Sequence, residues 1–375
     1  MKIALFTDTF APEVNGVART LKRWADFLES RGIDFRVFAP ETRKDDFSTN
    51  FIYHFKSFRF FLYPECRLAI PNMMTIRQQL EQFQPTLIHI ATPFNIGLCG
   101  LHYAKKMNIP FVASYHTHFD RYLHYYNLDF LSPWFWRYMH WFHRSAEKIF
   151  VPSEETLNHL QQRGFTNLHI WSRGVDCSTF YPRENNESFR KTYHITERHI
   201  ILYVGRLAKE KNVDLLIELA KQMSPSIRWV IVGDGPLKEQ LKQKASKNVT
   251  FTGFLNGEAL AEAYAAAHIF AFPSPTETFG NVVLESFASG TPVVCANRGG
   301  VTTIVTEQQT GLLRSPDDLN AWKEAIEYLL KDEQKRKQMG KCAREYAKTK
   351  DWNNIFIELL SHYEQVVHKR FSHYA

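Results

Sequence analysis

A chain that alternates short apolar runs with helix-period segments, and does so twice, has few folds open to it. The runs KIALFT, DFRVFA, LIHIA, FVASYH and KIFVPS begin at Lys2, Asp34, Leu87, Phe111 and Lys148. They are too short for ordinary helices and too continuously apolar for strands with one wet face, so they read as buried parallel strands. Residues 16–31 and the segments between the later runs read as amphipathic helices. A turn-rich stretch, RGVDCSTFYPRENN, then interrupts the pattern at 173–186. The alternation resumes with HIILYVG, RWVIVGDG, VTFTG, IFAFPS and TPVVCAN, with helices predicted over 210–223, 236–245, 256–267 and from about 280. At 375 residues the chain exceeds one ordinary core. The prediction is an α/β protein of two Rossmann-like parallel-sheet domains around a polar break near 172–186.

Open parallel sheets bind ligands beyond the carboxyl ends of their strands. Two such sheets facing one another would enclose a central cleft, and the informative residues lie just after strands. In FTDTFAPEVNGVARTL, Gly16 opens a helix whose positive end suits a phosphate, although a plain loop explains it equally. The stretch is not G-x-G-x-x-G, which argues against a nicotinamide or flavin enzyme. In YVGRLAKEKN, Arg206 and Lys211 follow a strand that ends at Gly205, and two cations there suit a diphosphate, although a solvated basic loop also explains them. Gly233 and Gly235 in IVGDGP permit a tight turn or flat packing against a ring. His116 ends the strand FVASYH and suits a sugar hydroxyl or a developing charge. His118 makes a metal pair with it conceivable, but spacing supplies no third ligand, so no metal is expected.

The stretch ETFGNVVLE holds two carboxylates, Glu277 and Glu285, either side of a predicted helix start. Amides of Phe279, Gly280, Asn281 and Val282 would leave that helix N-terminus and suit a phosphate. Glu285, inside the helix, suits a ribose diol, and Glu277 suits hydroxyls of a bound sugar. Helix-start electrostatics explain an acid at 277 without any ligand. None of the fourteen Asp residues form D-x-D, the pair with which many glycosyltransferases hold a metal on a diphosphate. No cofactor is expected.

A net charge of +7 suits an anionic partner, and the absence of long like-charge blocks argues against nucleic acid. Five scattered cysteines with no C-x-x-C read as reduced thiols of a cytoplasmic protein. The first apolar run is too short for a signal-peptide core and no run is long enough to span a bilayer, so membrane contact would be peripheral. Residues 119–143 hold eleven aromatic residues, where the chain average of 14% predicts three or four. They read as a wide aromatic core helix or as a wall for a lipid or glycan acceptor, with Tyr122 and Tyr126, beside Asn15, as acceptor candidates. FKSFRFFLYPECR adds a basic-aromatic patch with Lys56, Arg59 and Arg67, and both segments suit anionic lipid.

Taken together, ETFGNVVLE, VGRLAKEKN, VGDGP, GTPVV, the pair Gly299–Gly300 and TGLL resemble glycosyltransferase family 4. NGVARTL, YPECRLAIP, SYHTHFDRYL and RGVDCSTFYP resemble its branch of sulfoquinovosyldiacylglycerol synthases and GDP-mannose-dependent alpha-mannosyltransferases. The resemblance implies a retaining, metal-independent enzyme of the two-domain GT-B fold. It implies that residues from roughly 350 to 375 cross back onto an N-terminal acceptor domain of residues 1–172, leaving 173–349 to bind the donor. It also implies that Arg206, Lys211 and Gly16 hold the donor diphosphate, Glu285 the ribose and Glu277 the sugar, with the nucleobase near Gly205, Gly233 and Gly235. His116 would lie at the catalytic centre. The expected reaction moves a hexose from a GDP- or UDP-linked sugar to a lipid or glycan at the cytoplasmic membrane face. Other enzymes of the same fold, an epimerase or a phosphorylase, and a silent binding protein are the alternatives. Thr303 departs from the acid that many relatives carry before the isoleucine.

Overall fold

The computed structural model describes residues 1–13, 15–41, 51–59, 67–118, 120, 128–183 and 187–371. Two parallel sheets organise it. The first contains β1 (Lys2–Phe6), β2 (Asp34–Pro40), β3 (Ile52–Phe55), β6 (Leu87–Ile90), β7 (Phe111–Ser114), β8 (Ile149–Val151) and β9 (Leu168–Ile170), in spatial order β3-β2-β1-β6-β7-β8-β9. A short antiparallel pair, β4 (Ser57–Arg59) with β5 (Arg67–Ala69), stands apart from it. The second sheet contains β10 (His199–Val204), β11 (Ile227–Val232), β12 (Val249–Gly253), β13 (Ile269–Phe272), β14 (Val293–Ala296) and β15 (Gly311–Arg314), ordered β12-β11-β10-β13-β14-β15. Each sheet thus reverses its direction of winding once, between β1 and β6 and between β10 and β13. Such points open a crevice at the strand ends.

Helices cover both sheets: α1 (Gly16–Ser30), α2 (Met73–Phe83), α3 (Asn95–Lys106), α4 (Ser132–His143) and α5 (Glu154–Gln161) belong to the first half. The second half has α6 (Glu187–Thr192), α7 (Val213–Gln222), α8 (Lys238–Lys244), α9 (Gly257–Ala266), α10 (Asn281–Ala288), α11 (Leu319–Lys331) and α12 (Glu333–Lys348). The central strands are buried on both faces, as their continuous apolar runs require: Leu87–Ile90, Phe111–Ser114, Ile269–Phe272 and Val293–Ala296 are buried throughout. The helix predicted over 210–223 instead begins at Val213, because Asn212 takes a left-handed conformation (φ 52°) after a single 3-10 turn.

The last helix, α13 (Trp352–Phe371), packs into the core of the first sheet. Ile355, Phe356, Leu359, Tyr363 and Val366 join Trp24, Phe27 and Leu28 of α1 and Trp171. The Trp24 ring meets Phe356 at 5.2 Å and Tyr363 edge-on at 5.6 Å. Two chain segments connect the halves and touch one another: the Val175 amide donates to the Lys350 carbonyl at 3.1 Å. A Cβ on Gly174 would lie 2.8 Å from the Trp352 ring, so only glycine admits that approach.

His89 is buried beneath α13, with Nε2 2.7 Å from Ser114 Oγ and Nδ1 2.6 Å from the Tyr363 hydroxyl. Burial pushes its pKa down to about 3, so the ring is neutral and both nitrogens need partners. Tyr363→Phe deletes one of them. The expected cost is about 1–3 kcal/mol, read as a lower urea midpoint at unchanged slope.

Candidate active site

The cleft is built where the two switch points meet. From the first half come the turn after β1, the start of α1, the end of β7 and the start of α5. From the second half come the turns after β10 and β13 and the start of α10. Several contacts join them. The Thr278 hydroxyl donates to the His116 carbonyl at 3.0 Å, and Ser153 Oγ donates to the Thr278 carbonyl at 2.6 Å. Arg19 Nη1 lies 3.8 Å from Glu285 Oε1. A Cβ on Gly16 would meet Asn281 Nδ2 at 3.2 Å, so the N-termini of α1 and α10 come together at these two residues.

Backbone crowding fixes the turn after β13. Gly299 has φ 81°, and a Cβ there would lie 2.8 Å from the Glu277 carbonyl oxygen. A Cβ on Gly300 would lie 2.1 Å from that of Thr278. The Gly300 amide donates to the Glu277 carbonyl at 2.6 Å. Gly280 precedes α10 with φ 100°, and Phe279 beside it is buried. Gly280, at the N-cap of α10, has no side chain to cap the first amides, those of Asn281 and Val282.

The candidate ligand groups gather around this turn. Lys211 Nζ meets Glu277 Oε1 at 2.5 Å, and Ser274 Oγ donates to the same oxygen at 3.3 Å. The cation expected at a diphosphate and the acid expected at a sugar are therefore each other's partners here. Arg206 Nη1 lies 3.6 Å from Glu210, whose carboxylate is buried. Glu285 accepts from the Tyr264 hydroxyl at 3.0 Å with its side chain 13% exposed. Burial raises its pKa, with Arg19 and the Tyr264 hydrogen bond opposing.

Gly205, Gly233 and Gly235 are brought together, and what demands glycine is backbone. A Cβ on Gly233, at φ 138°, would lie 1.9 Å from the Gly205 carbonyl oxygen, and one on Gly235 would lie 2.4 Å from that of Leu207. The turn after β11 lies flat on the turn after β10, linked by Leu207 N to the Asp234 carbonyl at 2.9 Å.

His116 is buried, with Nδ1 2.7 Å from Arg173 Nη2 and its ring edge-on to Trp171 at 5.3 Å. Burial, then the Arg173 charge, holds its pKa well below the usual histidine value. Asn15 is the N-cap of α1: its carbonyl accepts from the Ala18 amide at 2.8 Å and its Nδ2 donates to Thr9 at 2.8 Å. Tyr122 and Tyr126 lie outside the described residues.

Two sequence-based readings need correction. Spacing offered the His116–His118 pair no third ligand; the fold instead sets His118 beside Asp120 and, through helix α5, His159. His159 Nε2 donates to Asp120 at 2.9 Å, because Arg163 occupies its Nδ1 at 3.2 Å. Arg163 also lies 3.7 Å from Asp120, which ties the group into an ion-pair network. Arg67 is not part of a surface basic patch: its Nε donates to Ser57 at 2.7 Å and its Nη1 lies 3.5 Å from Glu13.

Sequence reasoning missed Arg19, Arg173, Tyr264 and Thr278. Arg19 carried a signal, since a cation near a helix's positive end is unfavourable without a partner. Arg173 lay in RGVD, read as a turn and as part of a branch motif with no role given to the arginine.

The unliganded fold disfavours an ionised Glu285. Because its folded pKa is raised, stability falls as pH rises past the unfolded value near 4.5 and levels off above the folded one. Glu285→Gln should raise the thermal midpoint of the unliganded protein at pH 7.5, with the gain vanishing below about pH 4.5.

Comparison with known proteins gives concordant matches. Glycosyltransferase Family 4 matches residues 14–179, and Glycosyl transferases group 1 matches residues 184–346. The GDP-mannose-dependent alpha-mannosyltransferase of Mycobacterium tuberculosis is 33% identical over 99% of this chain and 98% of its own length. Sulfoquinovosyl transferase SQD2 of Arabidopsis thaliana is 32% identical over 94% of this chain and 71% of its own. Among solved structures, sucrose-phosphate synthase from Thermosynechococcus elongatus superposes with a TM-score of 0.84 at 22% identity, covering 98% of this chain and all of that one. HepE of Anabaena in complex with UDP does so at 0.79 and 20% identity, over 97% of this chain and 100% of that one. These two likenesses are of fold.

Proposed function

The chain belongs to glycosyltransferase family 4 and has its two-sheet GT-B architecture, and from that premise we propose a retaining, metal-independent hexosyltransferase that uses a nucleotide-diphosphate sugar, GDP-mannose foremost. The observation that carries this reading is the convergence of Arg206, Lys211, the start of α10 and Glu285 on one side of a seam whose other side holds Gly16 and His116. The relative at 33% identity, named for GDP-mannose-dependent mannosyl transfer, supports the donor class.

In this reading the diphosphate lies against Arg206, Lys211 and the first amides of α10, next to Gly16. Glu285 takes the ribose hydroxyls in place of Arg19. Glu277 exchanges its bond to Lys211 for sugar hydroxyls, and Lys211 turns to phosphate. Charge develops on the leaving diphosphate, and fixed cations and helix amides stabilise it there. Retention follows from a front-face path, in which the acceptor attacks from the side that the diphosphate leaves and a phosphate oxygen takes the acceptor proton. No carboxylate needs to form a glycosyl-enzyme.

The acceptor side is proposed to rest on an anionic membrane. Among the described residues no helix is long and apolar enough to cross one. Helix α4 buries Met139, Phe142 and His143 and turns outward Trp134 and Trp141, which are seven residues apart and 70% and 42% exposed. Phe130 and Leu131 precede them, 71% and 37% exposed. Arg137 and Arg144 share the exposed face, and Lys105 lies 5.7 Å over the Trp141 ring. Aromatic rings with cations between them suit the headgroup region of anionic lipid.

Arg206→Ala and Glu285→Ala should each lower transfer about a hundredfold, the effect of losing about 3 kcal/mol of charge-assisted contact. Unchanged turnover in either would reject its place at the donor. A thermal-shift panel of nucleotide sugars names the donor: one present at 100 times its Kd adds about 2.7 kcal/mol of stability. Trp134→Ala combined with Trp141→Ala should abolish co-sedimentation with anionic vesicles while leaving nucleotide binding intact. Wild-type sedimentation indifferent to lipid charge and to salt would refute the membrane contact.

A further inference from the structure

Arg173 is a cation buried in the fold, only 4% exposed, with no carboxylate within ion-pair distance among the described residues. Its Nη1 donates to the carbonyls of Trp171, at 2.7 Å, and Ser172, at 3.2 Å, and its guanidinium lies 5.1 Å from the Trp171 ring centre. The same indole flanks His116. Nη2 then meets His116 Nδ1 at 2.7 Å. A guanidinium has donors and no acceptor, so Nδ1 must be the accepting nitrogen. In a neutral imidazole the single proton is then on Nε2. That nitrogen is buried and has no hydrogen-bond partner among the described residues. Folded proteins seldom leave such a donor unpaired unless a ligand completes it.

We propose that Arg173 is a positioning residue that locks His116 as the neutral Nε2–H tautomer, so that the ring offers bound sugar a fixed hydrogen-bond donor in place of a titrating acid or base. The proposal rests on the transferase reading for the identity of the ligand, but the lock itself is a property of the protein alone. Protonating His116 would put a second donor at Nδ1, directly against the guanidinium. The other groups around the ring do not reverse this. His89 on β6 is neutral, and Glu277, whose neighbour Thr278 donates to the His116 carbonyl, is engaged by Lys211. A cation is costly to bury, and its retention beside a histidine that needs no charge partner fits the control of a tautomer better than an ion pair.

Nitrogen-15 spectra of the ring nitrogens of wild-type His116 test the lock directly: Nε2 should carry the proton from pH 5.5 to 8, and a proton on Nδ1 would overturn the proposal. Kinetics provide the second arm. Arg173→Met should cut kcat for hexose transfer about tenfold or more and bring an ionisation into the pH profile that wild type lacks, because the ring becomes free to protonate. Arg173→Lys, which still donates to Nδ1, should recover most of the loss and a flat profile. A folded Arg173→Met variant with wild-type kcat and a flat profile would equally overturn it. If that variant fails to fold, the wild-type spectrum decides alone. Because the spectrum is read without substrate, absence of transferase activity would reject the functional reading and leave the tautomer result standing.

Discussion

The cleft depends on two positions with no room for a Cβ. Gly299 and Gly300 press against the carbonyls of Glu277 and Thr278, and the Gly300 amide bonds the first of them. That contact sets the path of the turn after β13. The turn in turn sets where Glu277 meets Lys211, where Thr278 reaches His116 and Ser153, and where α10 begins. Backbone approach this close cannot be tuned by a larger side chain, because the clash is with main-chain atoms. Gly233 and Gly235 do the same for the turns after β10 and β11.

Pairs of opposite charge join groups that line the cleft. Lys211 with Glu277, and Arg19 with Glu285, pair opposite charges that are only partly exposed. Such pairs offset part of the cost of gathering like charges in a partly buried cleft. Burial of Glu285 raises its pKa, which marks it as a group kept at some cost to stability. Arg173 is the extreme case, a cation buried with no carboxylate at ion-pair distance among the described residues.

Much of the architecture was legible in the residues. Strands buried on both faces have to be written as unbroken apolar runs, and LIHI, FVAS, IFAF and VVCA are written so. The edge strands β3, β9 and β15 were not: IYHF, LHI and GLLR are short and partly exposed, so no periodicity distinguishes them from loop. The aromatic segment before residue 143 could be read as core or as surface, and helix α4 is both. Its period sends Met139 and Phe142 inward and Trp134 and Trp141 outward. The basic patch expected at 55–67 lost Arg67 to Ser57 and Glu13, partners that only the fold brings near.

By itself, the sequence determined two parallel α/β units, the strand ends at which ligand groups gather and the carboxylates and cations there, because strand burial and turn chemistry are local properties. Tertiary structure alone decided the pairing across the cleft. Arg19 and Glu285 are far apart in the chain, as are His116 and Thr278, and nothing in spacing relates them. It also decided the state of His116. A histidine's tautomer and charge are set by what lies against its two nitrogens and by how much water reaches them. Here Arg173, 57 residues away in sequence, supplies the first and burial the second.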